Sequence, residues 1–149
     1  MIGIGCSSHI LHNGASKATS KIDYDFEAFV TTISNYFSGH AQRWDEFSEI
    51  CAEQKIKIQK IPSFCATRWL SLGNLVNAIY NMWPAIESYF RGAGAEDAQK
   101  IIKKVFAEDS FSKSQEYYAL VTFFSFILDE FNRINLKTQV KNLYWLKLS

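Results

Sequence analysis

The sequence has no excess of either charge, few cysteines and no long hydrophobic run. Its 149 residues contain 16 Lys and Arg against 15 Asp and Glu, so the chain lacks the basic field expected of a free-standing nucleic-acid-binding protein. The three cysteines show no regular spacing, which argues against a disulfide scaffold and for a reducing compartment. No apolar run reaches membrane-spanning length, and we expect no membrane partner.

Aromatic residues are abundant, with 12 Phe, 7 Tyr and 4 Trp. A chain of this length buries about two-thirds of its unfolded surface, and these side chains can fill the core. Apolar residues recur at intervals of three and four, which is typical of amphipathic α-helices. We therefore expect a mainly α fold, a helical bundle, with a short N-terminal strand at 2–6 and a short extended segment near 55–61, where polar and apolar residues alternate.

The strongest helical pattern runs from Ser71 to Phe90. Its apolar stripe comprises Leu72, Leu75, Val76, Ile79, Trp83, Ile86 and Phe90. This spacing predicts one long amphipathic helix, whose first turn Ser71 or Thr67 can cap with a side-chain oxygen. Arg68 and Trp69 are therefore expected at the start of that helix.

The same spacing predicts helices on either side of this one. After a first helix that begins at Ser7 or Ser8, they run from Asp23 or Asp25 to Gly39, over Gln42–Gln54, over Ala95–Ala107 and over Ser114–Ile134. The last helix is very apolar, and an exposed aromatic surface on it would suit a partner. The Gly-rich segment between Arg91 and Ala95 predicts a flexible loop that tolerates insertions.

Two short motifs resemble the hAT-type transposases and the host proteins derived from them. One is Thr-Arg-Trp-Leu-Ser at 67–71, and the other is Cys-x-x-His at 6–9. In that family the Cys-x-x-His element directly follows a core strand, and the Thr-Arg-Trp element lies in a helical domain inserted into an RNase H-like core. The matching motif residues here are Cys6, His9, Thr67, Arg68, Trp69 and Ser71.

The resemblance also implies a domain organisation. It extends over residues 4–90 and more loosely beyond them. Residues 1–20 would be the end of the RNase H-like core, residues 21–135 a helical insertion-like domain, and residues 136–149 a divergent tail. The chain would then be a fragment of a transposase or a transposase-derived host protein.

Catalysis in this family requires three carboxylates that bind two metal ions. In the family, one of the acids precedes the Cys-x-x-His element and another lies far beyond the helical domain, and both places are outside this sequence. The acids that are present fall at helix starts or on polar helix faces, where they complement the helix dipole without a catalytic role. We therefore expect a chain that is not an enzyme and has no cofactor. A divalent metal would bind only with the missing catalytic core.

The cysteine and histidines near the N-terminus allow three interpretations. Cys6, His9 and His12 can ligate zinc, but a tetrahedral site needs four ligands. The other candidates, which offer no second paired spacing, are His40, Cys51 and Cys65. We therefore predict no metal site. On the residues alone, Cys6 packs as a small hydrophobic side chain and His9 hydrogen-bonds at a strand–helix junction. The resemblance instead implies that His9 contacts DNA near the scissile phosphate.

Two interpretations remain open for Arg68 and Trp69. An indole beside a guanidinium can stack on an unpaired base while the cation holds a phosphate, and the resemblance implies stacking on bases displaced from a DNA hairpin. Alternatively, Trp69 anchors the long helix in the core and Arg68 pairs with a carboxylate. The stretch between Glu53 and Glu87 has no acidic residue. Its basic residues are Lys55, Lys57, Lys60 and Arg68.

We therefore expect weak, salt-sensitive DNA binding through these four basic residues together with Trp69 and His9. A solvated cationic edge is the other meaning of such a run. The alternative function is a helical protein–protein interaction domain of a domesticated transposase-derived protein, whose partner is another protein or the missing transposase core. We expect the protein in the nucleus, and otherwise in the cytoplasm.

Overall fold

The structure is a computed structural model, and it describes residues 13, 14, 17, 21, 25–63 and 69–148. Six helices have their bounds within these residues: α1 (Phe26–Phe37), α2 (Ala41–Glu53), α3 (Trp69–Asn81), α4 (Trp83–Arg91), α5 (Lys100–Phe106) and α6 (Phe111–Leu148). No strand occurs in the described part of the chain. The mainly α fold is thereby confirmed, whereas the strand predicted at 2–6 lies outside the described residues.

Helices α1 and α2 form where the apolar spacing predicts them. The whole predicted stripe of α1 is buried: Phe26, Phe29, Val30, Ile33, Tyr36 and Phe37. The chain then turns at Gly39, whose φ of 75° lies in the left-handed region that glycine adopts without a Cβ penalty. Helix α2 packs back with Phe47 and Cys51 buried and with Trp44 and Ile50 half-buried against the core.

The predicted long helix is two helices, α3 and α4, which meet at Met82. The reason is Pro84, which stands in the first turn of α4. Proline has no N–H to donate to the carbonyl of Tyr80, four residues earlier, and in a continuous helix its ring would clash with that carbonyl. Met82 takes φ −110° and ψ 12°, while its N–H still donates to the carbonyl of Ala78 at 3.2 Å. The prediction of one continuous helix was wrong, but its apolar stripe is buried along both helices.

The segment between α2 and α3 has no regular secondary structure over 56–63. Ile56 and Ile61 pack against the core, whereas Ile58 is exposed. The carbonyl of Pro62 accepts a hydrogen bond of 2.7 Å from the hydroxyl of a serine in α1. The predicted extended segment is therefore buried in part, and this hydrogen bond connects it to α1.

The boundaries of α5 and α6 differ from the predicted ones. Helix α5 begins at Lys100, although the spacing predicts a start at Ala95. Helix α6 begins at Phe111 and continues to Leu148, whereas the predicted helix covers only 114–134. The domain boundary predicted at 135/136 thus falls inside one continuous helix of 38 residues.

The buried half of α6 packs along α3, and this is the largest contact between two helices in the described structure. A Cβ at Gly73 of α3 would lie 3.5 Å from the Cβ of Leu128 and 3.2 Å from Nδ2 of Asn132. Asn77 Nδ2 donates to Asp129 Oδ1 at 2.7 Å. Glycine thus permits a close crossing, and the polar pair beside it fixes the alignment of the two helices.

A second polar cluster joins α4, α5 and α6. Arg91 Nη2 and Ser114 Oγ both donate to Glu87 Oε1, at 2.9 and 2.6 Å. Arg91 Nη1 donates to the carbonyls of Phe106 and Ala107, at 3.3 and 3.1 Å, where α5 ends. One arginine therefore satisfies orphan carbonyls at a helix C-terminus while it pairs with a carboxylate.

The turn after α4 is packed, which contradicts the flexible loop predicted between Arg91 and Ala95. The N–H of Gly94 donates to the carbonyl of Tyr89 at 2.8 Å, and Gly94 is buried. A Cβ at Gly94 would lie 2.3 Å from Cε1 of Tyr89, a side chain that is itself fully buried. Only glycine fits at this point, and an insertion here would displace the ring of Tyr89.

We predict that Gly94→Ala lowers the free energy of unfolding by about 1–3 kcal/mol, because the added methyl overlaps the Tyr89 ring. Urea unfolding followed by circular dichroism measures this change. Ala93→Val, at the exposed neighbouring position, is the control and should stay within about 0.5 kcal/mol of the parent. Equal stability of Gly94→Ala and the parent would contradict the packed turn.

Candidate functional site

Helix α6 carries a surface stripe opposite its buried face, which we call the outer stripe. Spacings of three and four residues place its members on one side of the helix. They are Phe123, Phe126, Glu130, Ile134, Lys137, Lys141, Tyr144 and Leu148. Every apolar member is exposed, including Phe126 at 66% and Tyr144 at 69%. Large apolar side chains in water are costly when they are contiguous, so this stripe is the candidate functional site.

The fold explains why the outer stripe faces away from the core. The buried residues of α6 lie on the other side of the helix: Ser114, Tyr117, Val121, Phe124, Ser125, Leu128 and Asn135. Beyond Asn135 no described side chain of α6 is buried. The final 13 residues, 136–148, add about 20 Å of helix at 1.5 Å per residue, and every described side chain in them is at least partly exposed.

Charge is unevenly distributed along the outer stripe. Glu130 is the last acidic residue of the sequence, and Arg133, Lys137, Lys141 and Lys147 follow it. Glu130 Oε2 accepts a hydrogen bond from Arg133 Nη2 at 2.6 Å. The stripe therefore has aromatic residues toward each end, one carboxylate before its midpoint and lysines after it.

The sequence analysis predicts only the first part of the outer stripe. The exposed aromatic surface expected within 114–131 is present at Phe123 and Phe126. The second half is missed because residues 136–149 are set aside as a divergent tail. The signal was available, since Lys137, Lys141, Tyr144 and Leu148 continue the same spacing of three and four.

The structure describes only some of the residues that are predicted to bind DNA. Cys6, His9, Thr67 and Arg68 lie outside the described residues. Helix α3 begins at Trp69, which places this residue at the helix start as predicted, and the position of its side chain is not described. Ser71 is half-buried in the first turn of α3.

The three predicted lysines lie on one short segment of the chain. Lys55, Lys57 and Lys60 are all exposed on the segment that follows α2. Lys55 has a φ of 57°, which is uncommon for a residue with a Cβ and turns the chain sharply out of α2. The segment therefore carries three exposed cations, which we call the lysine edge.

A polar cleft of about 410 Å³ lies between α1, the start of α2 and α4. The guanidinium of Arg43 lies 4.1 Å from the ring centroid of Tyr36 and donates to the Tyr36 carbonyl at 3.0 Å. The hydroxyls of Tyr36 and Tyr89 are 3.3 Å apart. Burial, and then the hydrogen bond to Tyr36, raise the pKa of Tyr89. These polar groups are hydrogen-bonded to one another across the helices. We therefore interpret their contacts as stabilising the fold and assign no ligand to the cleft.

The described residues hold no cluster of three or more His, Cys, Asp or Glu side chains suited to a metal ion. Cys51 is buried in the core, and burial raises the pKa of its thiol, which keeps it protonated and a poor ligand. His40 is exposed at the start of α2. Among the described residues, neither has the neighbouring ligands that a zinc site needs.

A scan against protein-family models finds no match, and neither does a search of the curated proteins or of the solved structures. Within the described ranges, none of the helices combines the length and the apolar character needed to cross a membrane. The outer stripe and the lysine edge must therefore be interpreted from their own chemistry.

We predict opposite effects for two neighbouring phenylalanines of α6. Phe124 is 4% exposed and stacks on Phe26 with ring centroids 4.5 Å apart, so Phe124→Ala should cost about 3–5 kcal/mol of unfolding free energy. Phe126→Ala should change it by less than about 0.5 kcal/mol, because that ring is in water. Urea unfolding of both variants tests the assignment. A large loss from Phe126→Ala would mean that this ring is covered within the chain.

Proposed function

We propose that this chain is a helical protein–protein interaction domain that docks through the outer stripe of α6. The supporting observation is that α6 continues for 13 residues beyond Asn135, the last of its described side chains that is buried, while it keeps large apolar side chains in water. A helix that presents anchors at intervals of three and four residues is suited to a groove or to another helix. The free energy gained is that of removing these side chains from water.

The family context of this proposal comes from the sequence motifs. Their similarity to hAT-type transposases supports a non-catalytic, transposase-derived protein whose RNase H-like core lies elsewhere, and a nuclear location in that case. This family context depends on the motif residues Cys6, His9, Thr67, Arg68, Trp69 and Ser71. The docking role of α6 does not depend on the family context.

Site-specific photo-crosslinking tests the docking role. We expect p-benzoylphenylalanine at Phe126 to form protein adducts in cells that naturally contain the chain, because this ring would lie inside the interface. The same amino acid at Tyr80 is the matched control. Tyr80 is also exposed, but it lies on α3 and stacks on Tyr118 with centroids 6.3 Å apart. Adducts no more abundant from position 126 than from position 80 would refute docking through the outer stripe.

A second candidate function is weak DNA binding through the Arg68–Trp69 element and the lysines near it. The observation in its favour is that Lys55, Lys57 and Lys60 are all exposed on one segment that precedes the motif in a stretch without acids. Cations on one edge can contact successive phosphates. Trp69 would then supply base stacking.

We predict that replacing Lys55, Lys57 and Lys60 with Gln reduces the slope of log K against log salt for hairpin-ended DNA by about 2–3, since each phosphate contact contributes close to one unit. Trp69→Ala should weaken binding without changing the slope. The matched control replaces the three lysines of α5, Lys100, Lys103 and Lys104. No binding at low salt, or equal slopes for both triple variants, would eliminate this function.

A further inference from the structure

We infer that the partner of the outer stripe is a second copy of this chain, with the two α6 helices antiparallel about a two-fold axis. This inference rests on the proposed docking role and names the partner. The region concerned runs from Phe123 to Tyr144, which spans about 32 Å of helix. Among the described helices, α3 and α5 make the main contacts with α6, whose buried residues lie on the opposite face.

The order of residues along the outer stripe is complementary to itself when reversed. In an antiparallel pair about a two-fold axis, residues equally far from the axis face each other. An axis between Arg133 and Ile134 brings Phe123 opposite Tyr144 of the second copy. The same axis pairs Phe126 with Lys141 and Glu130 with Lys137. Each contact then occurs twice in the dimer.

Three of these pairings are attractive, and at the axis itself Ile134 lies opposite Arg133 of the second copy. Phe123 and Tyr144 form an aromatic contact, and the ammonium of Lys141 can lie over the ring of Phe126. Lys137 meets the carboxylate of Glu130, which already accepts one bond from Arg133 and has lone pairs for another donor. The interface thus has an aromatic contact at each end and two Glu130–Lys137 ion pairs near the axis, and the two-fold axis relates its two halves.

The charges also exclude the parallel alternative. A parallel pair in register would place each residue beside its own copy, so Glu130, Lys137 and Lys141 would each face a like charge. Like charges in contact cost free energy, and e and g charges set helix orientation in coiled coils in the same way. All charges after Glu130 are positive. Of the antiparallel pair and the parallel pair in register, the antiparallel one brings Glu130 to a lysine.

Charge exchange across the axis provides the decisive experiment. Sedimentation equilibrium compares the parent with Glu130→Lys, with Lys137→Glu, with the double variant and with an equimolar mixture of the two single variants. We expect a dimeric parent and at least about tenfold weaker association for each single variant, because like charges then meet twice. The double variant and the mixture should both regain association, since opposite charges meet again in each.

Two controls separate this pairing from general electrostatics. Lys147→Glu and Glu108→Lys make the same charge changes outside the paired region, and both should associate as the parent does. Circular dichroism melting of every variant checks that the fold is intact. Because the mixture combines two proteins that each fail alone, its recovery cannot come from a change in folding.

Several outcomes would overturn the inference. They are a parent that is monomeric at hundreds of micromolar, single variants that associate normally, a mixture that does not recover, and a monomeric parent that binds anionic lipid vesicles through Phe126. In the crosslinking experiment, adducts of position 126 with other proteins only would leave the docking role standing and remove the second copy as partner. Absence of any adduct would remove both.

Discussion

The close contact between α3 and α6 is the constraint on which the remaining arrangement depends. Gly73 leaves room at this contact, because a Cβ there would touch Leu128 at 3.5 Å and would crowd the amide of Asn132 at 3.2 Å. Asn77 and Asp129 then fix the alignment by a hydrogen bond across the same contact. With α6 held in this rotation, its apolar buried face completes the core and its outer stripe is left in water. The exposure of the outer stripe is thus determined by how α6 is turned about its own axis.

Periodicity alone predicts those elements whose apolar stripe and bounds are set locally. The stripe of α1 and the turn at Gly39 follow directly from spacing and from glycine's access to positive φ. The break at Met82 does not, because the stripe continues through it without a change in spacing. Pro84 carried the missing signal, since a proline inside a helical pattern removes the hydrogen bond to the carbonyl four residues earlier and its ring clashes there. Periodicity describes which face is buried and says little about continuity.

Other misses arise from tertiary contacts that no local pattern contains. Residues 95–99 have ordinary helical composition, yet α5 begins only at Lys100. They follow a turn in which Gly94 packs against the ring of Tyr89. Propensity is a weak prior that such contacts override. In the candidate site, the exposed aromatic residues at 123 and 126 and the exposed lysines at 55, 57 and 60 are as expected. The half of the outer stripe beyond residue 136 is missed because residues 136–149 do not resemble the family and are set aside as a divergent tail.

A continuous helix that is anchored at one end has a consequence for how the chain can change over evolutionary time. Each residue of an α-helix advances the side chains by 100°, at 3.6 residues per turn. A single deletion between Asn135 and Tyr144 would leave the core untouched but would rotate everything beyond it by more than a quarter turn, carrying Tyr144 and Leu148 out of line with Phe123 and Phe126. Gains and losses of three or four residues nearly preserve the phase. Insertions and deletions in this helix are therefore constrained first by the rotation that they impose on the side chains beyond them, and only then by the chemistry of the residues gained or lost.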